Sequence, residues 1–273
     1  MHPSLVDVLS QDLIDRLIDT VVELVDGDWD QQCCLSICAS VCQAFLPRSQ
    51  YHLFSSIKLN EGRVQEFYEI IKSKPLIAKR VRALHLVFYD GKYDLDWMIN
   101  DHKFRYIMTS ITHPTTPLYK LKLEGQRSSG SMVNPQVFLD RVFKPFLARF
   151  ISSLHIEALA RVPIALIDSC VQLTELTLLS TSFKYGKHRT DPPQHKLRRL
   201  EYNNPFQVKQ LTAGELGSRL EFAGLHTLYV HTDSSTDLNF EQWITNESSG
   251  MLEELYFKIL DDPGEFPAVC NCS

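Results

Sequence analysis

No stretch of this sequence approaches the ~20 consecutive apolar residues that a membrane-spanning helix requires. A secretory leader is missing too. Asp7, Asp12, Asp15 and Asp19 interrupt the apolar residues between Met1 and Val25, where such a leader needs an unbroken apolar core. The chain therefore reads as soluble and intracellular, cytoplasmic or nuclear, with no membrane partner. Positive charge is not in excess. Lys and Arg number 28 against 33 Asp and Glu, for a net charge of -5, which argues against a nucleic-acid partner. The local group Lys196, Arg198 and Arg199 reads as a solvated strand edge and loop.

The seven cysteines are odd in number and lack the paired spacing of a disulfide framework. Cys34, Cys38 and Cys42 recur every four residues, so on a helix they share one face. A zinc site would draw paired ligands from two elements. Small apolar residues packed on a helix are the simpler reading. Cys270 and Cys272 fall in a terminal tail. Catalytic signatures are missing as well: no Gly-x-Ser-x-Gly elbow, no phosphate-binding glycine loop and no His-Glu-x-x-His pair. The ten histidines are scattered. No cofactor or metal is expected, and an enzyme would need a deep polar pocket with perturbed titratable groups.

What is present begins with two amphipathic segments. From Asp12 to Val25, Leu13, Ile14, Leu17, Ile18, Val21, Val22 and Val25 follow a 3.6-residue period, opposite Asp15, Arg16, Asp19 and Glu23. Ser10 is placed to cap this helix through its hydroxyl, and Gly27 and Asp28 to end it. A second helix is expected from about Gln31 to Leu46, stopped by Pro47.

These residues carry a resemblance. Leu9-Ser10-Gln11-Asp12-Leu13-Ile14 resembles the opening of an F-box, usually Leu-Pro-x-Glu-Leu-Ile. Leu35 to Phe45 resembles its later element, Ser-Leu-Val-Cys-Arg-x-Trp. Leu46-Pro47-Arg48-Ser49-Gln50-Tyr51-His52-Leu53-Phe54 resembles the Leu-Pro-Arg-Ser-Arg-Tyr-His-Leu-Phe that follows the F-box in many proteins of mushroom-forming fungi. Ser10, Asp12 and Phe45 stand where the family has Pro, Glu and Trp. The resemblance implies an adaptor-binding role in a cullin–RING ubiquitin ligase. By position in the motif, it points to Leu9, Asp12, Leu13, Ile14, Val41, Cys42 and Phe45 as the adaptor-binding residues. The implied organisation is an F-box-like helical module over residues 1–50 and a leucine-rich-repeat-like domain over residues 51–273.

The second part rests on a repeat. The pattern apolar-x-x-apolar-x-apolar occurs at Phe54-Ile57-Leu59, Val81-Leu84-Leu86, Leu118-Leu121-Leu123 and Ile151-Leu154-Ile156. It recurs at Leu173-Leu176-Leu178, Leu197-Leu200-Tyr202, Leu225-Leu228-Val230 and Leu252-Leu255-Phe257. The starts lie 27, 37, 33, 22, 24, 28 and 27 residues apart, and a leucine-rich repeat has a period of ~20–29. Helical patterns fall between them, at 63–72, 94–111, 135–150, 162–171 and 238–245, with Pro145 expected to kink or break the third. Lys184 to Lys196 and Ser128 to Ser131 read as loops. The expected fold is α/β: an irregular solenoid of parallel strands with outer helices, lacking an evident polar cap after Phe257.

In such an array the side chains alternating with the buried ones line the concave face. His85, Lys122, His155, Thr177, Glu201, Tyr229 and Tyr256 are thereby the candidate substrate-binding residues. They are flanked by Lys120, Glu175, Arg199, Glu254, Glu124, Glu157, Asn203, His231 and Lys258. Both charge signs together with two tyrosines suit protein recognition. Three roles stay open: a ligase substrate receptor, a repeat scaffold whose helical module is only a cap, and an enzyme of unrecognised type.

Overall fold

The structure is a computed structural model. It describes residues 9–25, 28–88, 95–112, 118–125, 134–184, 194–212, 219–232, 239–248 and 250–259. Gly27, the Ser128–Ser131 loop, most of the Lys184–Lys196 loop, Cys270 and Cys272 lie outside them.

Three helices come first: α1 (Gln11–Leu24), α2 (Asp28–Val41) and α3 (Leu46–Leu53). They share a small core of Ile14, Ile18 and Leu35, with Leu9, Val22, Ala44, Phe45 and Leu53 packed around it. The expected apolar stripe of α1 is wider than one packed face. Ile14, Ile18 and Val22 turn inward at four-residue spacing, whereas Leu13, Leu17 and Leu24 face solvent. Ser10 holds the N-cap position with extended backbone, but its hydroxyl makes no capping bond. Its carbonyl instead accepts from the backbone N–H groups of Leu13 and Ile14.

Pro47 does not stop a helix here. The second helix already ends at Val41, and Pro47 stands in the first turn of α3, where its missing N–H costs nothing. A boundary at residue 50 falls inside α3. Asp19 of α1 holds this helix in place. It accepts 2.7 and 2.8 Å hydrogen bonds from the Arg48 guanidinium and lies 2.7 Å from His52 Nε2.

The chain then enters β1 (Ser56–Leu59), α4 (Val64–Ser73), β2 (Ala83–Phe88), α5 (Asp96–Ile99) and α6 (His102–Ile111). Next come β3 (Lys120–Gly125), α7 (Pro135–Phe138), a π-type helix (Leu139–Leu147) and β4 (Ser153–Glu157). After these run β5 (Val162–Pro163), α8 (Ala165–Asp168), β6 (Glu175–Leu179) and β7 (Phe183–Lys184). The last part holds β8 (Gln194–Lys196), β9 (Arg199–Tyr202), α9 (Pro205–Thr212), β10 (Arg219–Glu221), β11 (Thr227–Thr232), α10 (Asn239–Glu247) and β12 (Glu254–Ile259).

Eight strands, one at each repeat of the apolar pattern, form a single parallel sheet in the order β1-β2-β3-β4-β6-β9-β11-β12. The repeats are in register. Ile57, Leu84, Leu121, Leu154, Leu176, Leu200, Leu228 and Leu255 pair in succession across it. A parallel ladder keeps like positions on like faces, so the row of leucines becomes one wall of the core. Phe67 and Ile71, Phe104 and Ile107, Phe138 and Phe143, Leu166 and Ile167, Val208 and Leu211, and Ile244 join it from the helices. Tyr202 occupies an apolar slot because its hydroxyl donates 3.2 Å to buried Glu241 on α10.

The connections differ from the expected helices where local chemistry intervenes. The pattern at 94–111 breaks in two because Asp101 caps α6, its Oδ1 accepting 2.7 Å from the Lys103 N–H. Pro145 does not break its helix. The π-type winding moves the hydrogen bond to the fifth residue back, as in Ala148 N–H to the Phe143 carbonyl at 2.9 Å. Pro145, which has no N–H to give, sits inside this widened winding, a form of local adjustment that helices adopt at irregular positions. The segment 162–171 is a two-residue strand and one short helix. Lys196, expected in a loop, ends a short strand paired with β10, and its neighbour His195 is buried there, hydrogen-bonded to the Ile167 backbone.

Gly125 ends β3 where the backbone of the next connection comes close. A Cβ added there would meet the Ala158 carbonyl oxygen at 2.2 Å, and Ala158 itself sits at φ 52°. The clash is with backbone, which cannot move aside cheaply. Gly125→Ala is expected to cost roughly 1–3 kcal/mol, read as a lower denaturation midpoint. Gly62→Ala, whose nearest neighbour would be the Asn60 Oδ1 at 3.4 Å, serves as the near-neutral control.

Candidate functional site

The second face of the sheet is where the polar candidates gather. His85 pairs with Lys122, Lys122 with His155, then Thr177, Glu201, Tyr229 and Tyr256. All seven stand in one row, one per strand. Lys58 on β1 pairs with His85 and extends the row to eight. The sequence pattern contained it, since Lys58 lies between Ile57 and Leu59.

The row divides into two chemistries. Across β1 to β4 it is an ionic network. Lys122 Nζ lies 2.7 Å from Glu157 and 3.2 Å from Glu124, His155 Nε2 is 3.1 Å from Glu157, and Lys58 approaches Glu124 to 3.9 Å. His85 Nε2 comes within 2.7 Å of Glu124 but off the axis of an aligned hydrogen bond. The His85 contact, followed by Lys122, holds the Glu124 carboxyl down to about 2, and the His155 bond with Lys122 does the same for Glu157, again to about 2, each against the cost of burial. The carboxylates in turn raise the Lys122 ammonium above its usual value against the opposing cost of burial.

Across β9 to β12 the face is aromatic. Tyr229 and Tyr256 stack at 4.4 Å with planes 4° apart, and the Arg199 guanidinium covers the Tyr229 ring at 4.5 Å. Glu201 receives Arg199 at 3.4 Å and His231 at 3.0 Å. Stacked rings, a cation over one of them and a carboxylate beside it thus cluster on one half-exposed patch.

His85 departs from expectation in one respect. It lies in the row but is buried, as is its neighbour Val87, so β2 offers a partner little side-chain surface. Asn203 is also committed internally. Its Oδ1 accepts from the Ser180 N–H at 2.8 Å and its Nδ2 donates to the Ser180 hydroxyl at 3.1 Å, which holds Ser180 at φ 48°.

The adaptor-facing candidates separate into two groups. Ile14 is 1% exposed, and Leu9 and Phe45 pack on the same small core. These three hold the helices together, since the inward period of α1 runs through Ile14. Asp12 is exposed, Cys42 is half-buried, and Leu13 and Val41 are 53% and 60% exposed. Sequence reasoning missed Leu17 and Ile37, which extend the exposed apolar surface by one turn on each helix. Gln11 Nε2 donates to the Ala44 carbonyl and Gln31 Nε2 to the Val22 carbonyl. Those bonds set α1 and α2 antiparallel and bring Leu13 and Val41 to the same end of the pair.

Compared with known proteins, the chain matches no family model and no curated protein. Among the described residues, no group of three His, Cys, Asp or Glu could hold a metal ion, and no serine or cysteine hydrogen-bonds to His85, His155 or His231. Cys34 and Cys38 are half-buried on α2 rather than packed in a core. Cys170 is buried among apolar residues, and burial pushes its thiol up to about 12, which leaves it unreactive. No helix among the described residues is long and apolar enough to cross a membrane.

The network makes stability depend on acid. Glu124 and Glu157 have folded-state values below the ordinary 4.5. Their contribution is therefore complete above pH ~4.5 and is lost as pH falls towards 2. Glu124→Gln is expected to lower stability at pH 7 by up to ~3 kcal/mol, and to flatten the acid limb between pH 4.5 and 2. Urea midpoints measured across that range check this, and an unchanged acid limb would refute the ionic reading.

Proposed function

We propose that this chain is the substrate-recognition subunit of a cullin–RING ubiquitin ligase. Its N-terminal helices dock on the adaptor subunit, and its sheet face holds a protein substrate. The observation that carries this reading is the apolar surface of α1 and α2. Leu13, Leu17, Ile37 and Val41 face solvent although the module already has a core of its own. An exposed apolar patch on a small helical unit favours a protein partner. The same segment is the one whose residues resemble an F-box.

The likeness to a leucine-rich-repeat array draws support from two features. The eight apolar repeats pair in parallel and in sequence order. The β6 repeat also extends as Leu173-Leu176-Leu178-Thr181-Phe183, the longer form of the leucine-rich consensus with Thr181 at its Asn or Cys position. The Thr181 hydroxyl donates 3.0 Å to the Ile156 carbonyl of the preceding strand, so it ties one unit to the next. The row from Lys122 to Tyr256, ionic at one end and aromatic at the other, suits a polypeptide substrate with mixed charge and apolar anchors.

A second reading is a repeat scaffold whose helical module only caps the sheet. The burial of Ile14 and the packing of Leu9 and Phe45 within the module favour it. Adaptor binding separates the two. The full chain should retain the purified adaptor in a pull-down, and Leu13→Asp with Val41→Asp should weaken that binding at least tenfold, because each places a charge on the docking surface. Both positions are exposed, so circular dichroism should show the variant folded. Ile14→Asp, by contrast, is expected to unfold the module. A folded wild-type chain that fails to bind the adaptor would leave the scaffold.

A further inference from the structure

Among the described residues β12 is the last strand of the sheet, and no strand pairs with its outer side. The opposite edge is different. Beside β1, Gln32 and Ser36 of α2 and Leu53 of α3 line a depression together with Ile57, Lys58 and Leu59. On β12, Leu255, Tyr256 and Phe257 are 43–47% exposed, and Glu254 and Lys258 are exposed too. Leu255 is the last member of the leucine row, whose other seven members are all buried. An open parallel edge with half-exposed apolar side chains is a template for another strand.

The order of residues on β12 says which strand fits. Glu254, Tyr256 and Lys258 share the polar face, paired with Thr227, Tyr229 and His231, whereas Leu255 and Phe257 share the core face. Read outward from Tyr256, the strand has opposite charges at equal distances and apolar residues at equal distances. We propose that β12 is the contact between two copies of this chain, paired edge to edge and antiparallel about Tyr256. A two-fold axis beside Tyr256 sets Glu254 of each copy opposite Lys258 of the other, and Leu255 opposite Phe257. The two Tyr256 rings meet on the axis and join each copy's Tyr229–Tyr256 stack into one aromatic row. Such an isologous contact closes after two copies. It unites the two sheets and covers the apolar ends of both cores. Opposite charges directly across an antiparallel pair stabilise it, and like charges oppose it.

Sedimentation velocity of the full chain over a concentration series tests this. A concentration-dependent monomer–dimer equilibrium is expected. Glu254→Lys or Lys258→Glu alone places two like-charge pairs across the axis and should weaken the dimer about tenfold or more. The double variant Glu254→Lys/Lys258→Glu restores opposite charges and should return the dimer to near its original strength. Both altered positions are exposed, and a far-ultraviolet circular dichroism spectrum matching the wild type confirms that the fold survives. A wild-type chain that stays monomeric throughout would overturn the proposal. So would a dimer insensitive to both single changes, one that the double variant fails to restore, or growth into larger assemblies, which would indicate a head-to-tail contact.

Discussion

The structure depends on register. Eight segments, separated in sequence by unequal connections, meet so that each central leucine or isoleucine sits beside the next. Side chains alternate along a strand, so a slip of one residue would turn a strand's apolar set out and its polar set in. With register kept, the insertions fall in the connections, where α4 to α10 absorb different lengths while feeding one core. The same constraint aligns the opposite face. Lys58, His85, Lys122 and His155 come together because the leucines beside them do, and their carboxylate partners arrive one row further on.

The N-terminal helices solve a separate problem. Their core of three fully buried residues is too small to hold three helices by burial alone. Charge and shape supply the rest. Asp19 accepts both bonds from Arg48 and meets His52, while Leu53 packs against the core. The segment Leu46–Phe54 thus has a structural role of its own. It forms the helix that leads from the module into β1, and its Arg and His clamp that helix to α1. With the motif's internal contacts accounted for in this way, Leu13, Leu17, Ile37 and Val41 remain as the surface that the module does not use itself.

The two halves of the sheet face answer to different physics. Around Lys122, mutual neutralisation of lysines, histidines and glutamates gives a surface that is half-buried and responsive to acid. Around Tyr229 and Tyr256, ring stacking offers wide contact area at small entropic cost. A partner engaging the whole row would find charge selection at one end and affinity at the other. Dimer formation through β12 would lengthen the aromatic end and leave the ionic end free.

Much of this was legible in the residues. The apolar repeat placed all eight main strands and the face of each side chain, because period-two alternation is local and burial demands it. Helix α1 was visible from its 3.6-residue apolar period, although that period did not separate Ile18, which is buried, from Leu17, which is not. Several outcomes depended on groups far apart in sequence. Whether Ile14 or Leu13 turned inward was decided by where Leu35 came to lie. Pro47 opened a helix instead of closing one because Asp19 waited for Arg48 and His52. Pro145 stayed within a helix because the winding around it widened. His85 was buried although it alternated correctly, since Glu124 and its lysines closed around it, and Lys196 left its loop because β10 paired with it. Local pattern determined which residues belong to which face; the tertiary structure decided which of those faces remain open, because openness depends on neighbours that only folding brings together.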